Sequence, residues 1–225
     1  MKGGFIVFEG VDGAGKSTVA QLVAASLRRD DPSVRYWEKR DIGFSSQFAR
    51  RQMESIKTAL WDYPKDARIL ELGNMHWLSL MCSWFSAIDE LVVKPARAAN
   101  HTVVMDNWHY KFSSRFLLKS DFDPAVVRMM FSLLTRPDYI VFLRIDPETA
   151  ADRKQGVFLP SECGVLESPE LANRETFIAY QTQVQQQLLS VCDGVHTIMI
   201  DAGKGGAEQT AAEVVARLAA PGRAS

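Results

Sequence analysis

The chain has 225 residues, 47% of them hydrophobic and 24% charged, and this composition excludes disordered, collagen-like and disulfide-rich miniprotein classes. Its 26 basic and 27 acidic residues give a net charge of -1, so no overall positive field favours nucleic acid or an anionic membrane. We therefore expect a single globular domain whose partner is a small molecule.

Cysteine usage and hydropathy indicate a cytoplasmic protein. The three cysteines Cys82, Cys163 and Cys192 are odd in number and widely spaced, which favours a reducing compartment. The apolar region from Ile69 to Val93 is interrupted by acidic and polar residues, which favours a buried helix over a membrane span. The N-terminal residues do not have the pattern of a secretion signal.

Apolar, β-branched runs alternate with helical patterns along the chain. The runs predict five strands, at Gly4–Glu9, Val34–Trp37, Thr102–Met105, Tyr139–Ile145 and Val195–Ile200. The patterns between them predict helices at Lys16–Arg29, Ser45–Ala59, Asp66–Ala99, Pro124–Thr135, Pro147–Lys154, Pro169–Val191 and Gly206–Ala219. Alternation of this kind requires right-handed crossovers, so we predict a three-layer α/β/α sandwich with a five-stranded parallel sheet.

We predict one domain over residues 1–220, followed by a frayed tail at 221–225. The segment 155–169 contains two glycines and two prolines with little periodicity, so we expect a mobile lid at about 154–169. In the next helix, Phe177 shares an apolar stripe with Val184 and Leu188, and we interpret Gln181 and the other glutamines there as a solvated face. The aromatic surface of the predicted helix Asp66–Ala99 makes a homodimer possible.

The first strand runs into a phosphate-binding motif. Gly10-Val11-Asp12-Gly13-Ala14-Gly15-Lys16-Ser17 fits GxxxxGK[ST] between a strand and a helix, which is the context that this motif requires. Its glycines let backbone N–H groups approach phosphate oxygens, while Lys16 reaches the β and γ phosphates and Ser17 ligates Mg²⁺. The motif predicts a nucleoside triphosphate with Mg²⁺. Asp106, at the carboxyl end of the third predicted strand, is a second candidate for metal or substrate binding.

The segment from Phe5 to Thr18 resembles the opening of the thymidylate kinases. Weaker similarity continues at Lys94-Pro95-Ala96, at Val103-Val104-Met105-Asp106 and at Asp146-Pro147-Glu148. The resemblance implies a P-loop kinase fold with a closing lid. It also implies phosphoryl transfer from ATP to a nucleoside monophosphate, which is dTMP by default.

The resemblance also assigns roles to individual residues. Asp12 would contact the acceptor sugar or help to organise the metal, Arg40 would hold the acceptor phosphate, and Arg153 would stabilise the transferring group from the lid. Because Ala14 stands where one class of the family has a basic residue, catalytic charge should come from the lid. The donor nucleotide would contact Gly10, Asp12, Gly13, Ala14, Gly15, Lys16, Ser17 and Thr18, with Asp201 and Ala202 bordering its adenine.

Two departures from the family pattern concern the acceptor. The family's Asp-Arg pair reads Asp106-Asn107 here, which removes a phosphate-binding guanidinium that Lys111 or Arg115 would have to replace. Alignment places Phe85 where the family has an arginine that reads the thymine base, and an apolar ring can stack on a base but cannot donate to a carbonyl.

These departures leave alternatives open. One is a kinase of the same fold that acts on a modified nucleotide, a nucleoside or another small metabolite. The other is a catalytically weakened nucleotide-binding protein, since the predicted lid contains few arginines.

Overall fold

A computed structural model describes residues 2–40, 42–64 and 67–220. The predicted frayed tail at 221–225 and the predicted helix start at Asp66 lie outside these ranges. All five predicted strands are present and every pairing between them is parallel, in the order β2-β3-β1-β4-β5. The strands are β1 (Phe5–Glu9), β2 (Arg35–Glu38), β3 (Val103–Asp106), β4 (Tyr139–Arg144) and β5 (Thr197–Asp201).

Both faces of the sheet are buried, which confirms the three-layer prediction. Phe5 and Val7 of β1 belong to one hydrophobic core, whereas Ile6 and Phe8 belong to the core on the opposite face. This alternation is what a strand covered by helices on both sides requires.

The helices cover the two faces of the sheet. They are α1 (Lys16–Asp30), α2 (Gln47–Trp61), α3 (Gly73–Ile88), α4 (Lys94–Ala98), α5 (Tyr110–Leu117), α6 (Pro124–Ser132), α7 (Pro147–Arg153), α8 (Pro160–Cys163), α9 (Arg174–Val191) and α10 (Ala207–Ala219). None of the helices within the described ranges has the length and apolarity needed to cross a membrane.

The prediction of one continuous helix from Asp66 to Ala99 is wrong in detail. A short 3₁₀ helix at Ile69–Leu72 ends at Gly73, whose φ of +74° is incompatible with a continuing helix. Between α3 and α4 the segment Asp89–Val93 forms a π turn, because Pro95 has no N–H to continue the regular hydrogen-bonding pattern.

One further helix boundary differs from the prediction, and one helix in the structure was not predicted. The helix after the lid begins at Arg174, where Asn173 caps it by accepting from the N–H of Thr176 at 3.0 Å, and Pro169–Leu171 forms a separate 3₁₀ turn. Helix α5 was not predicted, because the buried polar residues Lys111, Ser113 and Ser114 obscure its apolar pattern.

The predicted lid contains α8 and packs against α9. Cys163 is buried between them, and a Cβ on Gly164 would meet the ring of Tyr180 at 2.6 Å. The rings of Phe158 and Phe177 add a contact at 5.2 Å between centroids. The lid therefore packs on the N-terminal half of α9 in this structure.

Candidate functional site

The loop between β1 and α1 has a backbone that requires glycine at two positions. Gly10 has a φ of +148°, and a Cβ there would lie 2.6 Å from the carbonyl oxygen of Leu143. Gly13 has a φ of +82°, and a Cβ there would lie 2.8 Å from the carbonyl oxygen of Ala150. Gly15 brings the loop to the first turn of α1. The turn fits a phosphate cradle, since the positive end of a helix dipole opens onto it.

Lys16 begins α1 and its side chain folds back into the loop. Its buried Nζ donates to the carbonyl oxygen of Val11 at 2.7 Å. Burial lowers the pKa of Lys16 and the charge of Lys111 lowers it further, against the opposing charge of Asp12. An anion in the loop would favour the charged ammonium, so this lysine is suited to holding a phosphate.

Ser17 and Asp106 meet at the carboxyl edge of the sheet. The hydroxyl of Ser17 donates to Oδ2 of Asp106, and the N–H of Lys39 donates to Oδ1 of the same carboxylate at 3.2 Å. Hydroxyl and carboxylate oxygens are ligands that Mg²⁺ prefers, with water and substrate phosphates completing its shell. The donor set therefore fits this metal. Thr18, the next residue of α1, is exposed.

Two cations from α5 hold the carboxylate of Asp12. The Nζ of Lys111 lies 2.7 Å from Oδ1 of Asp12, and the guanidinium of Arg115 donates to Oδ2. Burial by itself would raise the pKa of Asp12, but the charges of Lys111, Arg115 and Lys16 outweigh it and hold the pKa well below its ordinary value. Asp12 is therefore ionised and fixed in orientation.

Gln181 corrects the prediction of a solvated glutamine face on α9. Its side chain is fully buried and bonds to the P-loop, since Oε1 accepts from the N–H of Asp12 at 3.1 Å. A sequence signal for this position existed, because Gln181 lies four residues after Phe177 and three before Val184, on the buried stripe of the helix.

Lys39 and Arg40 follow β2 and line the same cavity as Asp12. The guanidinium carbon of Arg40 lies 4.6 Å from the ring centroid of Trp61, which orients it. Burial lowers the pKa of Lys39 to about 8, with the charge of Lys111 as the next cause. Lys39 was not among the predicted site residues, although it follows β2 at the edge of the sheet where Asp106 ends the neighbouring strand.

The cavity has a volume of about 450 Å³. Its charged lining residues are Asp12, Lys39, Arg40, Lys111, Arg115, Lys119 and Glu162. Its apolar and aromatic lining residues include Leu60, Trp61, Tyr63, Ile69, Leu70, Trp77, Met81, Phe112 and Phe116. This lining suits a ligand that combines an anionic group with a flat apolar ring.

Phe85 and Asn107, both predicted to contact the acceptor, are buried and are not among the residues that line this cavity. Phe85 is fully buried, with its ring centroid 5.1 Å from Trp108 and 5.5 Å from Phe112, so its placement does not fit contact with a base. Asn107 is also buried, with a φ of +76°, and its N–H donates to the carbonyl oxygen of Phe8 at 2.9 Å. Asparagine tolerates this left-handed conformation better than most residues do.

Arg153 joins the loop that follows β5. Its guanidinium donates to the carbonyl oxygen of Ala202 at 2.7 Å, so in this structure Arg153 is held by the predicted adenine loop, whereas the prediction placed it at the transferring group. Asp201, in the same loop, lines a second cavity of about 420 Å³. Two further cations near the lid are also paired, Lys154 with Glu162 and Arg174 with Asp152, each at 2.8 Å.

Glu9 is a buried carboxylate that the sequence analysis did not single out. Its Oε1 accepts from the N–H of Trp108 at 2.9 Å. Burial raises the pKa of Glu9, and the Trp108 N–H and the charge of Lys16 oppose the rise. Glu9 thus fixes the backbone immediately after Asn107.

Comparisons with known proteins agree on one family. A family model described as thymidylate kinase matches residues 8–214. The "Probable thymidylate kinase 2" of Saccharolobus solfataricus is 26% identical over 190 residues, which cover 82% of this chain and 80% of that protein. The "Thymidylate kinase" of Chlorobium luteolum is 30% identical over 152 residues, which cover 66% of this chain and 65% of that protein.

A solved structure supports the fold independently. The crystal structure of thymidylate kinase from Ehrlichia chaffeensis matches with a TM-score of 0.62 and 16% sequence identity, and the match covers 96% of this chain and 98% of that one. At this identity the similarity concerns the arrangement of strands and helices.

Proposed function

The chain belongs to the thymidylate kinase family, and from this premise we propose that it transfers the γ-phosphoryl group of ATP to dTMP, giving dTDP and ADP. The observation that carries the proposal is the surplus of positive charge in the cavity. Lys39, Arg40, Lys111 and Arg115 line it together with the acids Asp12 and Glu162. Such a surplus favours an acceptor that carries a phosphate over a neutral nucleoside.

The donor is held by the loop and by α1. Lys16 would bind the outer phosphates, and Ser17 and Asp106 would hold Mg²⁺, which neutralises phosphate charge when it is bound. Asp201 and Ala202 would border the adenine, and Arg153, which bonds to Ala202, would have to leave that carbonyl to reach the transferring group. These residues supply positioning and charge, which is most of what phosphoryl transfer needs.

The acceptor is positioned by the opposite wall. Lys111, Arg115 and Arg40 would hold its phosphate, and Asp12 would contact its sugar. In this arrangement Lys111 takes the place of the arginine that the family has where this chain has Asn107. The rings of Trp61, Trp77 and Phe112 offer apolar faces to a thymine. Phe85 packs against Phe112 in the core, and in this proposal it does not contact the acceptor.

An acceptor screen tests the proposal. ADP release is measured at saturating ATP and Mg²⁺ with dTMP, dUMP, dCMP and thymidine as separate acceptors. We expect the highest kcat/KM for dTMP and no turnover of thymidine. Turnover of thymidine that exceeds turnover of dTMP would contradict the proposal, as would no turnover of any monophosphate.

We propose further that the protein is cytoplasmic and forms a homodimer. The three cysteines are free, which suits a reducing compartment. Large apolar side chains are exposed at Leu72 and Met75 near the start of α3 and at Met129 and Leu133 in and after α6, and these two helices are in contact. Light scattering coupled to size-exclusion chromatography tests the dimer, and a monomer mass would contradict it.

A further inference from the structure

Gln181 connects three parts of the molecule through one side chain. It is fully buried on α9. The oxygen and the amino group of its carboxamide make three hydrogen bonds. Oε1 accepts from the backbone N–H of Asp12 at 3.1 Å. Nε2 donates to Oδ2 of Asp12 at 3.3 Å and to the carbonyl oxygen of Glu162, in the lid, at 2.6 Å.

These bonds tie the lid to the P-loop acid. Asp12 lies in the loop after β1, and Glu162 belongs to α8 in the lid. If the lid lifted away from α9, Nε2 would lose the carbonyl of Glu162, and this N–H would have to turn to water or to another acceptor. The side chain of Gln181 would then move, and this movement would break its two hydrogen bonds to Asp12.

No other side chain of similar size supplies this set of bonds. A glutamate at this position has no N–H donor for the carbonyl of Glu162, and its charge would face the carboxylate of Asp12. A methionine fills the same volume with neither a strong donor nor a strong acceptor. An amide at the end of a two-carbon side chain is what the three contacts require.

We propose that Gln181 is a positioning residue that couples closure of the lid to the orientation of Asp12. The inference rests on the proposed function, because Asp12 matters through the acceptor that it contacts. With the lid down, Gln181 fixes Asp12 from one side while Lys111 and Arg115 fix it from the other. With the lid raised, Asp12 keeps only its two cations.

The experiment compares Gln181→Met with Gln186→Met, a matched change at an exposed glutamine of the same helix. The measurements are kcat and the KM for dTMP, and amide hydrogen exchange of the lid without ligand and with ADP, Mg²⁺ and dTMP. For Gln181→Met we expect kcat to fall by about 10- to 100-fold, the range for small misplacements near reacting groups, with a smaller change in KM. We also expect the lid to lose the protection that these ligands give it in the wild type. Gln186→Met should match the wild type in every measurement.

Two results would overturn the inference. One is a wild-type kcat for Gln181→Met, and the other is a reduced kcat with wild-type protection of the lid, which would assign the residue to fold support alone. If Gln181→Met does not fold, Gln181→Glu is measured in the same way, with the same expectation, because it keeps the size but not the donor. A wild-type protein that fails to phosphorylate dTMP would refute the proposed function instead, and the exchange data would still report on the link between the lid and the loop.

Discussion

The Nζ of Lys111 lies 2.7 Å from Oδ1 of Asp12, although the two residues are 99 positions apart in the sequence. The contact joins α5 to the loop after β1 and places a cation in the wall of the cavity. Under the proposed function, Lys111 would supply from the helix after β3 the positive charge that Asn107 does not carry.

Removing this cation should weaken binding of dTMP. A hydrogen bond to a charged group contributes about 1.5–3 kcal/mol, so Lys111→Met should raise the KM for dTMP by roughly 10- to 150-fold. Lys111→Arg should recover much of this loss. Lys57→Met on α2, outside the described cavity wall, is the control and should keep the wild-type KM. An unchanged KM for Lys111→Met would remove this residue from the acceptor site.

The acceptor site should lose affinity as the pH rises. A lysine is charged below its pKa, and burial lowers the pKa of Lys39 to about 8. In the free enzyme its charge is therefore lost progressively between about pH 7 and 9, and kcat/KM for dTMP should fall over that interval.

Replacement by arginine isolates this effect. Arginine stays charged throughout the range, so Lys39→Arg should flatten the profile, and any decrease that remains would reflect Lys16, whose pKa burial also lowers. Identical profiles for wild type and Lys39→Arg would show that Lys39 does not bind the acceptor.

A methyl group at Gly10 should destabilise the protein. The Cβ would lie 2.6 Å from the carbonyl oxygen of Leu143, a backbone atom that cannot move aside, at a φ of +148°. We expect Gly10→Ala to lower the free energy of unfolding by about 1–3 kcal/mol and Tm by about 2–12 °C in thermal denaturation. Gly43→Ala is the control, because a Cβ there meets nothing within 4 Å. Equal Tm values for the two variants would contradict the close approach.

The contact between Ser17 and Asp106 should govern the requirement for Mg²⁺. Ser17→Ala removes one oxygen ligand, so at fixed ATP the Mg²⁺ concentration for half-maximal rate should increase on the order of tenfold, which corresponds to about 1.4 kcal/mol. Ser17→Thr keeps the hydroxyl and should stay close to the wild type. A Mg²⁺ titration of Ser17→Ala that overlays the wild type would exclude Ser17 as a ligand.

The sequence was sufficient for the sheet and the family, because both depend on local patterns. Short β-branched runs alternating with helices predicted five parallel strands, and the loop from Gly10 to Ser17 indicated the family, and both predictions are confirmed. The position of Asp106 relative to Ser17 also followed, since parallel strands end at one edge of the sheet.

The rest of the site depends on packing across the sheet. Gln181 was predicted to face solvent because it stands among other glutamines, yet the spacing from Phe177 places it on the buried stripe. Phe85 was assigned to the base by alignment, whereas its depth in the core is set by Trp108 and Phe112. Neither outcome could be read from residue type, because each depends on which side chains the fold brings into contact.

Direct identification of the product tests the central claim. Wild-type protein is incubated with ATP, Mg²⁺ and dTMP, and nucleotides are separated by chromatography over time, with Lys16→Ala as the control. The account predicts that dTDP and ADP form in equal amounts, and that Lys16→Ala is slower by about 100-fold or more while its circular dichroism spectrum matches the wild type. ATP consumption without dTDP, or equal rates for the two proteins, would contradict it.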